Sequence, residues 1–415
     1  MEAQSNEYEI MSPVGSYESL MAAIQAGAGS VYFGIGSLNM RSGSSVNFSI
    51  DDLENIAEIC RENHVQSYLT LNTIVFDQDL DLMQGIVTKA KQSGVSAIIA
   101  SDMAVILFAR QIQMEVHIST QLNITNFSSI KYYAQFADVI VTARELKLDQ
   151  IKSITDQIHE FDIRGPSGKL LRIEIFVHGA LCMAVSGKCY LSLHEKGNSA
   201  NRGACLQTCR KAYLVTEKET GYQLEIDNEY IMSPKDLCTI RFFDKVVESG
   251  AKVFKIEGRA RPPEYVKIVT QCYKEALNSA IQGDFSKEKV LAWEQKMKTV
   301  FNRGFWDGYY LGQPLGEWND EYGSKSTKMK VYVGKITNYF SKIGIAEIKI
   351  ESDELNLQDE ILIIGPTTGV YEDQVKELRV DLLNSQKAIK GQLVSMPVTN
   401  IVRRSDKVYK LIDRK

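Results

Sequence analysis

Short apolar segments alternate with amphipathic segments along the first two thirds of the chain. The apolar segments are four to eight residues long and are followed by polar or turn-forming residues, a pattern typical of buried strands. We predict nine such strands, ending near residues 13, 34, 72, 102, 121, 145, 179, 234 and 259.

The segments between these strands have helical periodicity. One helix is predicted over residues 16–26 and ends before Gly27, a residue typical of a helix C-terminus. Another carries Leu82, Ile86 and Ala90 on one face. Repeated strand-then-helix units predict a parallel sheet.

Polar residues stand at the ends of most predicted strands. In a (β/α)8 barrel such residues meet at one face and build the site, whereas an open doubly wound sheet gathers them at one switch point. No Gly-x-Gly-x-x-Gly follows the first strand, which disfavours the open dinucleotide-binding sheet. We therefore predict a TIM-like (β/α)8 barrel over residues 1–261, although nine candidate strands compete for eight positions. The strand-end residues are Ser12, Asn72, Asp102, Gln121, Glu145, His178 and Glu257.

A different pattern follows the predicted barrel. Residues 262–323 read as a helical and aromatic connector. Residues 324–415 alternate apolar and polar positions between turns, which predicts a small all-β barrel. Its basic end, residues 403–415, is a candidate RNA contact or simply a solvated tail.

Composition narrows the class of protein. The chain has 415 residues, 44% hydrophobic and 24% charged, with a formal net charge of −4. Because the chain is not basic overall, any nucleic-acid surface must be a local patch. The first residues are polar, without the apolar core of a secretory signal, and no apolar run is long enough to span a bilayer. We expect a cytoplasmic protein.

Cysteines supply the strongest chemical signal. Two of the seven, Cys60 and Cys272, fall on apolar helix faces and read as small core residues. The other five lie among Gly, Ser, Asn and Lys in a predicted insertion, residues 178–238. Thiolates grouped in this way in a reducing compartment favour zinc or an iron–sulfur cluster over a disulfide, with inert buried thiols as the alternative. The five are Cys182, Cys189, Cys205, Cys209 and Cys238.

Several longer motifs carry a family resemblance over nearly the whole chain. They are His178-Gly-Ala-Leu-Cys182, Asn201-Arg-Gly-Ala-Cys205, Ser233-Pro-Lys-Asp-Leu-Cys238 and Lys255-Ile-Glu-Gly-Arg259. In these the chain resembles peptidase family U32, and is most similar to its tRNA-hydroxylating branch. The family name implies collagenase-like proteolysis, yet several members serve oxygen-independent hydroxylation of RNA or of a quinone precursor, and some carry a 4Fe–4S cluster.

The resemblance implies specific chemistry. Its tRNA branch forms 5-hydroxyuridine at the wobble position, a sister branch modifies a cytidine of ribosomal RNA, and prephenate is the implied co-substrate of both. The cluster-binding pattern maps onto Cys182, Cys189, Cys205 and Cys238. Cys209 matches a position whose role varies, and it is the alternate fourth ligand. A protein partner of unknown identity is compatible with this chemistry.

Three residues are the candidate catalytic groups. Glu257 and Arg259 would contact substrate, because a guanidinium binds carboxylate or phosphate through two parallel hydrogen bonds. His178 is a candidate proton donor or acceptor. A buried ion pair and a core histidine are the alternative interpretations. The candidate substrate-binding residues are Asn72, Asp102, Gln121, Arg144, Glu145, Arg202 and Arg210, the last two within a basic patch that also holds Lys188 and Lys211.

Two other functional classes compete with RNA hydroxylation. A peptidase is the first, but the chain has neither His-Glu-x-x-His nor Gly-x-Ser-x-Gly. Cys182 with His178 is a conceivable nucleophile and base, although no third residue is seen to orient them. The second class is a non-catalytic, zinc-bound RNA-binding module.

Overall fold

A computed structural model of the chain describes residues 7–43, 47–182, 184–197, 199–210, 215–221, 223–224, 234–312, 317 and 323–414. Its strands up to residue 306 are β1 Glu9–Pro13, β2 Ser30–Phe33, β3 Gln66–Leu71, β4 Ala97–Ala100, β5 Glu115–Ile118, β6 Val139–Val141, β7 Arg172–Ala180, β8 Val215–Thr216, β9 Gln223–Leu224, β10 Asp236–Cys238, β11 Val253–Ile256 and β12 Phe305–Trp306.

The helices alternate with these strands over most of the barrel. They are α1 Tyr17–Gln25, α2 Asp52–Glu62, α3 Leu80–Ser93, α4 Met103–Gln111, α5 Phe127–Tyr133, α6 Leu148–Glu160, α7 Leu191–Lys196, α8 Phe243–Glu248, α9 Pro263–Gln282 and α10 Lys287–Lys298. Single turns of 3₁₀ helix cover Asp77–Asp79, Thr120–Leu122, Ala200–Arg202, Thr208–Arg210 and Ile240–Phe242.

Strands β1 to β7 and β11 form a closed parallel barrel, which confirms the predicted TIM-like fold. Neighbours pair in chain order from β1 to β7, and β11 closes the ring by pairing in parallel with both β1 and β7. Eight of the nine predicted strands are these eight. The ninth was predicted to end at residue 234, and residues 225–233 lie outside the described ranges. Instead, β10 runs antiparallel to β7, and β12 pairs with β10.

Alternation along the strands separates the barrel interior from the helix layer. In β1, Ile10 packs in the large core beneath the helices, whereas Met11 belongs to a cluster with Tyr32 and Tyr68. Successive side chains of a strand point to opposite faces, so this second cluster fills the barrel interior. The barrel is therefore a packed scaffold whose open chemistry lies at its ends.

The helix predictions hold at their ends and on most faces. The Ser16 side chain accepts a hydrogen bond from the Ser19 amide and caps α1, and Gly27 follows its end with φ +78°. In α2 the predicted apolar face, including Cys60, is buried, and burial raises the pKa of the Cys60 thiol to about 12. Leu82 of α3 is an exception, because it is 51% exposed, whereas the buried residues of this helix are Met83, Ile86, Val87 and Ala90.

The connector packs against the barrel. Cys272 of α9 and Trp293 of α10 belong to the same buried core as the barrel helices, and β12 extends the barrel sheet. Burial raises the pKa of the Cys272 thiol to about 12, consistent with a core residue. The residue boundaries of the three predicted parts stay a prediction.

The C-terminal part is an antiparallel all-β domain, as predicted. Its strands are β13 Lys328–Phe340, β14 Ile345–Ile350, β15 Glu354–Asn356, β16 Glu360–Gly365, β17 Gly369–Gln374, β18 Arg379–Val380, β19 Leu383–Asn384, β20 Lys387–Ile389, β21 Leu393–Pro397 and β22 Lys407–Asp413. Eight of them form one sheet in the order β17-β16-β22-β13-β14-β21-β18-β19, and β15 pairs with β20.

This domain has its own core and packs against two helices of the barrel side, α1 and α9. Val333, Ile348 and Val408 lie in the buried cluster of the domain. The Gln25 side chain at the end of α1 donates to the carbonyl of Thr368 and accepts from the amide of Val370. Within the described ranges, no helix is both long and apolar enough to cross a membrane.

Candidate functional site

A cavity of about 160 Å³ lies at the C-terminal ends of the barrel strands, under the cysteine-rich segment, which we define as residues 182–210. In a parallel barrel this face gathers residues from many strands, as the sequence predicted. The residues of its wall that matter below are Tyr32, Arg41, Thr70, Asn72, Gln121, Arg144, Phe176, Cys182, Cys189, Cys205, Cys209, Lys255, Glu257 and Arg259.

Loops of the barrel hold the cysteine-rich segment in place. The Ile74 amide, after β3, donates to the carbonyl of Asn201 at 3.0 Å. The Asn123 side chain, after β5, donates to the carbonyl of Ser186 at 3.1 Å. Because these bonds come from separate strand ends, they fix the segment across the mouth of the barrel.

Gly203 makes the closest approach between the segment and the barrel. Its carbonyl accepts from the Gly43 amide at 3.2 Å and from the Ser42 hydroxyl at 3.0 Å. Its φ is +82°, and a Cβ added here would lie 2.5 Å from the carbonyl oxygen of Asn39. Only glycine fits this position without displacing the loop after β2.

Arg202 belongs to the same set of anchors. It donates to the carbonyl of Ile74 at 3.0 Å, pairs with Asp79, and its guanidinium lies 3.9 Å from the centroid of the Phe76 ring. The structure therefore places this predicted substrate-binding residue outside the cavity wall. Its guanidinium is occupied in joining the segment to the loop after β3.

Glu257 is a buried carboxylate surrounded by cations. Its Oε1 accepts from Arg41 at 2.9 Å, its Oε2 accepts from the Tyr32 hydroxyl at 3.2 Å, and the side chain is 12% exposed. Burial alone would raise the pKa of this carboxyl, but Arg41, Arg144 and Arg259 outweigh burial and lower the pKa from 4.5 to about 2. Glu257 is therefore an anion across the neutral range.

Arg259 is buried and fixed by neutral partners. One terminal nitrogen donates to the Thr70 hydroxyl at 2.8 Å and to the Asn39 side-chain oxygen at 3.1 Å. Burial lowers the pKa of its guanidinium to about 10, against the opposing effects of Tyr32 and Glu257. It remains charged at neutral pH.

Arg144 has hydrogen-bonding capacity to spare. Its guanidinium lies 3.8 Å from the centroid of the Phe176 ring, and one terminal nitrogen donates to the carbonyl of Ala180 at 3.1 Å. The Nε is buried and has no hydrogen-bond partner. A buried donor without a partner is costly, so an incoming acceptor at this point would form a hydrogen bond that the Arg144 Nε does not make within the protein.

Four thiols share the cavity wall. Cys182 is exposed, whereas Cys189, Cys205 and Cys209 are half-buried. Burial raises the pKa of the Cys189 thiol, a backbone hydrogen bond from Leu191 opposes this, and the neighbouring thiols of Cys182 and Cys205 raise it further. Across the described ranges, no three His, Cys, Asp or Glu side chains form a ready-made metal site. The thiols share a cavity without forming a preassembled ligand set.

Cys238, a predicted ligand, lies elsewhere. It is 2% exposed on β10, opposite His178 of β7, and does not line the cavity. Its sulfur is 3.9 Å from the Tyr273 hydroxyl, and burial raises the pKa of its thiol to about 12. Cys209, the alternate ligand, is in the wall instead.

His178 also points away from the cavity. Its ring is packed among Tyr265, Tyr273 and Phe305, with centroid separations of 5.9, 5.6 and 5.6 Å. Burial lowers the pKa of the imidazole to about 4, so His178 is neutral at physiological pH. This geometry matches the core-histidine alternative, because the ring packs among aromatic side chains and His178 meets the wall only through its backbone carbonyl, which accepts from the Glu257 amide at 2.8 Å within the described ranges.

The other predicted substrate contacts divide between the cavity and the scaffold. Asn72 and Gln121 line the cavity and hydrogen-bond each other at 3.2 Å. Asp102 caps α4 by accepting from the Ala104 amide at 2.9 Å, so it lies in the scaffold. Glu145 is exposed beside the cavity wall and does not line it. The side chain of Arg210 lies outside the described part of the chain.

The sequence interpretation missed several residues of the wall, among them Arg41, Tyr32 and Lys255. Arg41 lies in the loop after β2, eight residues beyond the end of that strand, and carries no motif. Tyr32 and Lys255 lie inside predicted strands, whereas the predicted site residues of the barrel stand at or beside strand ends. For Lys255 one signal was available, because a lysine is unusual inside an otherwise apolar strand.

Comparisons with known proteins agree on the family. A model described as Peptidase family U32 matches residues 15–320. A protein named "Collagenase" from Porphyromonas gingivalis (strain ATCC BAA-308 / W83) is 57% identical, over 99% of both chains. "tRNA hydroxylation protein P1" from Bacillus subtilis (strain 168) is 27% identical, over 86% of this chain and 83% of the relative.

A further relative is named for ribosomal RNA. "23S rRNA 5-hydroxycytidine C2501 synthase" from Escherichia coli (strain K12) is 30% identical, over 90% of this chain and 56% of the relative. The chain is thus similar to proteins named for peptide and for RNA chemistry, and the RNA-named relatives follow the collagenase-named relative at lower identity.

Proposed function

This chain belongs to peptidase family U32, and we propose that it is an iron–sulfur protein for the oxygen-independent hydroxylation of RNA. The proposed product is 5-hydroxyuridine at the tRNA wobble position, with prephenate as co-substrate, in the cytoplasm. One observation carries the proposal: a single cavity has both four cysteines and a ring of arginines in its wall. The names of two relatives, for tRNA and for ribosomal RNA hydroxylation, support it.

We propose that Cys182, Cys189, Cys205 and Cys209 hold a 4Fe–4S cluster. Soft thiolate donors suit iron–sulfur clusters, and these four share the cavity wall. Cys238 does not line the cavity, so Cys209 replaces it as the proposed fourth ligand. When bound, such a cluster supplies one-electron transfer.

The arginines would bind the co-substrate. Three guanidinium groups, Arg41, Arg144 and Arg259, face one carboxylate, Glu257, so guanidinium groups outnumber carboxylates on this side of the wall. Prephenate carries two carboxylates, which guanidinium groups can bind. The unpartnered Nε of Arg144 would donate to one of them. Fixed cations also orient the bound anion for reaction.

The outer side of the cysteine-rich segment would meet RNA. Lys188 and Tyr190 flank Cys189, and both are exposed, Tyr190 by 74%. An exposed aromatic ring beside a lysine is the combination that stacks on an unpaired base and neutralises phosphate. A wobble base is unpaired in free tRNA, so this surface could present it to the cavity.

Peptide hydrolysis is the second candidate, favoured by the name of the 57% identical relative. The described residues of the cavity wall include no histidine. Glu257, with a pKa of about 2, is a weak base at neutral pH. Among the described wall residues, a cysteine or water nucleophile would therefore find neither a histidine base nor a carboxylate that is basic at neutral pH.

The proposal is tested by mass spectrometry of nucleosides from a deletion strain carrying wild-type or variant protein. We expect 5-hydroxyuridine to disappear on deletion and to return with wild type and with Arg164→Ala, an exposed control. Arg259→Ala should fail to restore it while keeping its iron. Undiminished hydroxyuridine after deletion rejects the tRNA assignment. Loss of a hydroxylated ribosomal cytidine would move the assignment to ribosomal RNA, and collagen cleavage by the purified protein would favour the peptidase.

A further inference from the structure

Lys255 is a buried lysine in the cavity wall to which the proposed hydroxylation gives no task. It lies on β11 and is 4% exposed, and among the described residues of the wall it is the only lysine. Its Nζ lies 4.5 Å from the centroid of the Tyr32 ring and 5.5 Å from that of Phe176. A buried amine bounded by two aromatic rings is shielded from bulk water, the setting in which lysine acts as a nucleophile.

A carboxylate is placed to handle the proton of this amine. Lys255 Nζ donates to Oε1 of Glu174 at 2.7 Å, and Glu174 is fully buried on β7. The second oxygen of Glu174, Oε2, has no hydrogen-bond partner, and the Nδ1 of His117 lies 4.0 Å from it. Glu174 thus contacts the amine directly through one oxygen and has a second oxygen without a hydrogen bond.

The arginines of the anion site lie beside this lysine. Arg144 and Lys255 approach the same Phe176 ring, and Arg259 and Lys255 approach the same Tyr32 ring. A ligand whose carboxylate is held by either arginine thus brings its adjacent atoms towards the amine. The compound that fits both groups has a carbonyl next to a carboxylate.

We propose that Lys255 forms an imine with a 2-oxo acid bound in this cavity. Glu174 first takes a proton from the ammonium group, and the neutral amine adds to the carbonyl carbon, whose oxygen takes one of the remaining protons of the nitrogen and becomes a hydroxyl. That hydroxyl leaves as water with the proton returned by Glu174, and a protonated carbon–nitrogen double bond forms. The sum is one ammonium and one ketone giving one iminium and one water, with no oxidant or reductant.

This inference rests on the anion site of the proposed function and on neither RNA nor the cluster. Prephenate contains a 2-oxo acid group, so the imine would be a covalent hold on the proposed co-substrate. The two ideas can therefore fail separately: trapping of a 2-oxo acid is measured on protein alone, whereas hydroxylation is measured on RNA.

The test is reductive trapping on the full-length protein purified without oxygen. The protein is incubated with pyruvate and sodium borohydride, digested, and mapped by mass spectrometry. We expect a reduced pyruvate adduct on the peptide that contains Lys255, and none when lactate, which has no carbonyl, replaces pyruvate. Lys255→Arg keeps a cation beside Glu174 and should lose the adduct, whereas Lys252→Arg, outside the cavity, should keep it.

Two further variants separate a reacting lysine from a structural ion pair. Arg144→Gln should lower the adduct yield at limiting pyruvate about tenfold or more, the factor expected from losing one charge-assisted hydrogen bond. Glu174→Gln should slow the formation of the adduct. Pyruvate should still bind this variant in competition with another anion. Two results would overturn the inference and leave Lys255 as a buried ion pair only. One is labelling of Lys255 that is no greater than labelling of the exposed Lys342, and the other is labelling of Lys255 that Arg144→Gln does not change.

Discussion

The cation ring around Glu257 predicts a measurable, pH-dependent contribution to stability. The pKa of this carboxyl falls from 4.5 to about 2, chiefly because Arg41, Arg144 and Arg259 outweigh its burial. Each pKa unit corresponds to about 1.4 kcal/mol, so the ionised carboxylate stabilises the folded protein by about 3 kcal/mol near neutral pH. Glu257→Gln should remove that contribution.

The sign of the pH dependence follows from the direction of the shift. A lowered pKa in the folded state gives stability that is complete above the unfolded value of 4.5 and is lost as the pH falls towards 2. The difference between wild type and Glu257→Gln should therefore shrink from about 3 kcal/mol at pH ~7 to about 2 kcal/mol at pH ~3.5. Urea unfolding followed by tryptophan fluorescence, to which the buried Trp293 and Trp306 contribute, measures both values.

Asp162→Asn is the matched control. Asp162 pairs with Arg164 at the surface, at 2.9 Å, and solvent screens such a pair. This substitution should change the unfolding free energy far less than Glu257→Gln does. A Glu257→Gln effect that is equal at both pH values, or no larger than that of the control, would refute the idea that the arginines hold Glu257 as an anion.

Three further substitutions test separate parts of the site. Arg144→Gln should weaken binding of malonate, a dicarboxylate probe, by about tenfold in calorimetry, whereas Arg164→Gln should leave it unchanged. Gly203→Ala should speed hydrogen exchange and proteolysis within the cysteine-rich segment, because the new Cβ would lie 2.5 Å from a backbone oxygen; protection equal to wild type would contradict the anchoring role. Asp102→Ala should cost about 1–2 kcal/mol of unfolding free energy through the lost helix cap and leave malonate binding intact, and weaker binding would restore its predicted substrate role.

Periodicity was enough to predict the scaffold. Short apolar runs identified all eight barrel strands, because parallel strands that are covered by helices are mostly apolar along their length, and the polar residues after most of them favoured a barrel over an open sheet. The faces that bury Cys60 and Cys272 were likewise readable from spacing. Leu82 failed this logic because its neighbour Met83 is the residue that faces the core, one position along the helix.

Site residues were harder to predict because residue type does not reveal which partner a side chain finds. Asp102 has the position of an active-site carboxylate, yet its oxygens are used by the backbone amides of Val75 and Ala104. His178 lies two residues before the end of β7, but Gly179 follows it with φ +103°, and the ring packs into an aromatic cluster. Arg41 reaches Glu257 from a loop that no strand pattern marks.

Cys238 illustrates a second limit. Spacing and family resemblance group it with the other cysteines, but its strand pairs antiparallel with β7 and buries the thiol against Tyr273. Cys209, four residues beyond Cys205 within a turn of 3₁₀ helix, joins the cavity wall instead. Only the folded path of the chain separates these two cysteines.

The central claim is that this cavity binds an iron–sulfur cluster beside an anion site. The iron content of cysteine variants tests this claim most directly. Wild type and variants are purified without oxygen and assayed for iron and acid-labile sulfide. We predict that Cys182→Ser, Cys189→Ser, Cys205→Ser and Cys209→Ser each lose most of their iron and sulfide, while Cys60→Ser, Cys238→Ser and Cys272→Ser keep the wild-type content. Colourless wild-type protein that contains zinc in place of iron, or loss of iron from Cys238→Ser with retention in Cys209→Ser, would contradict this account.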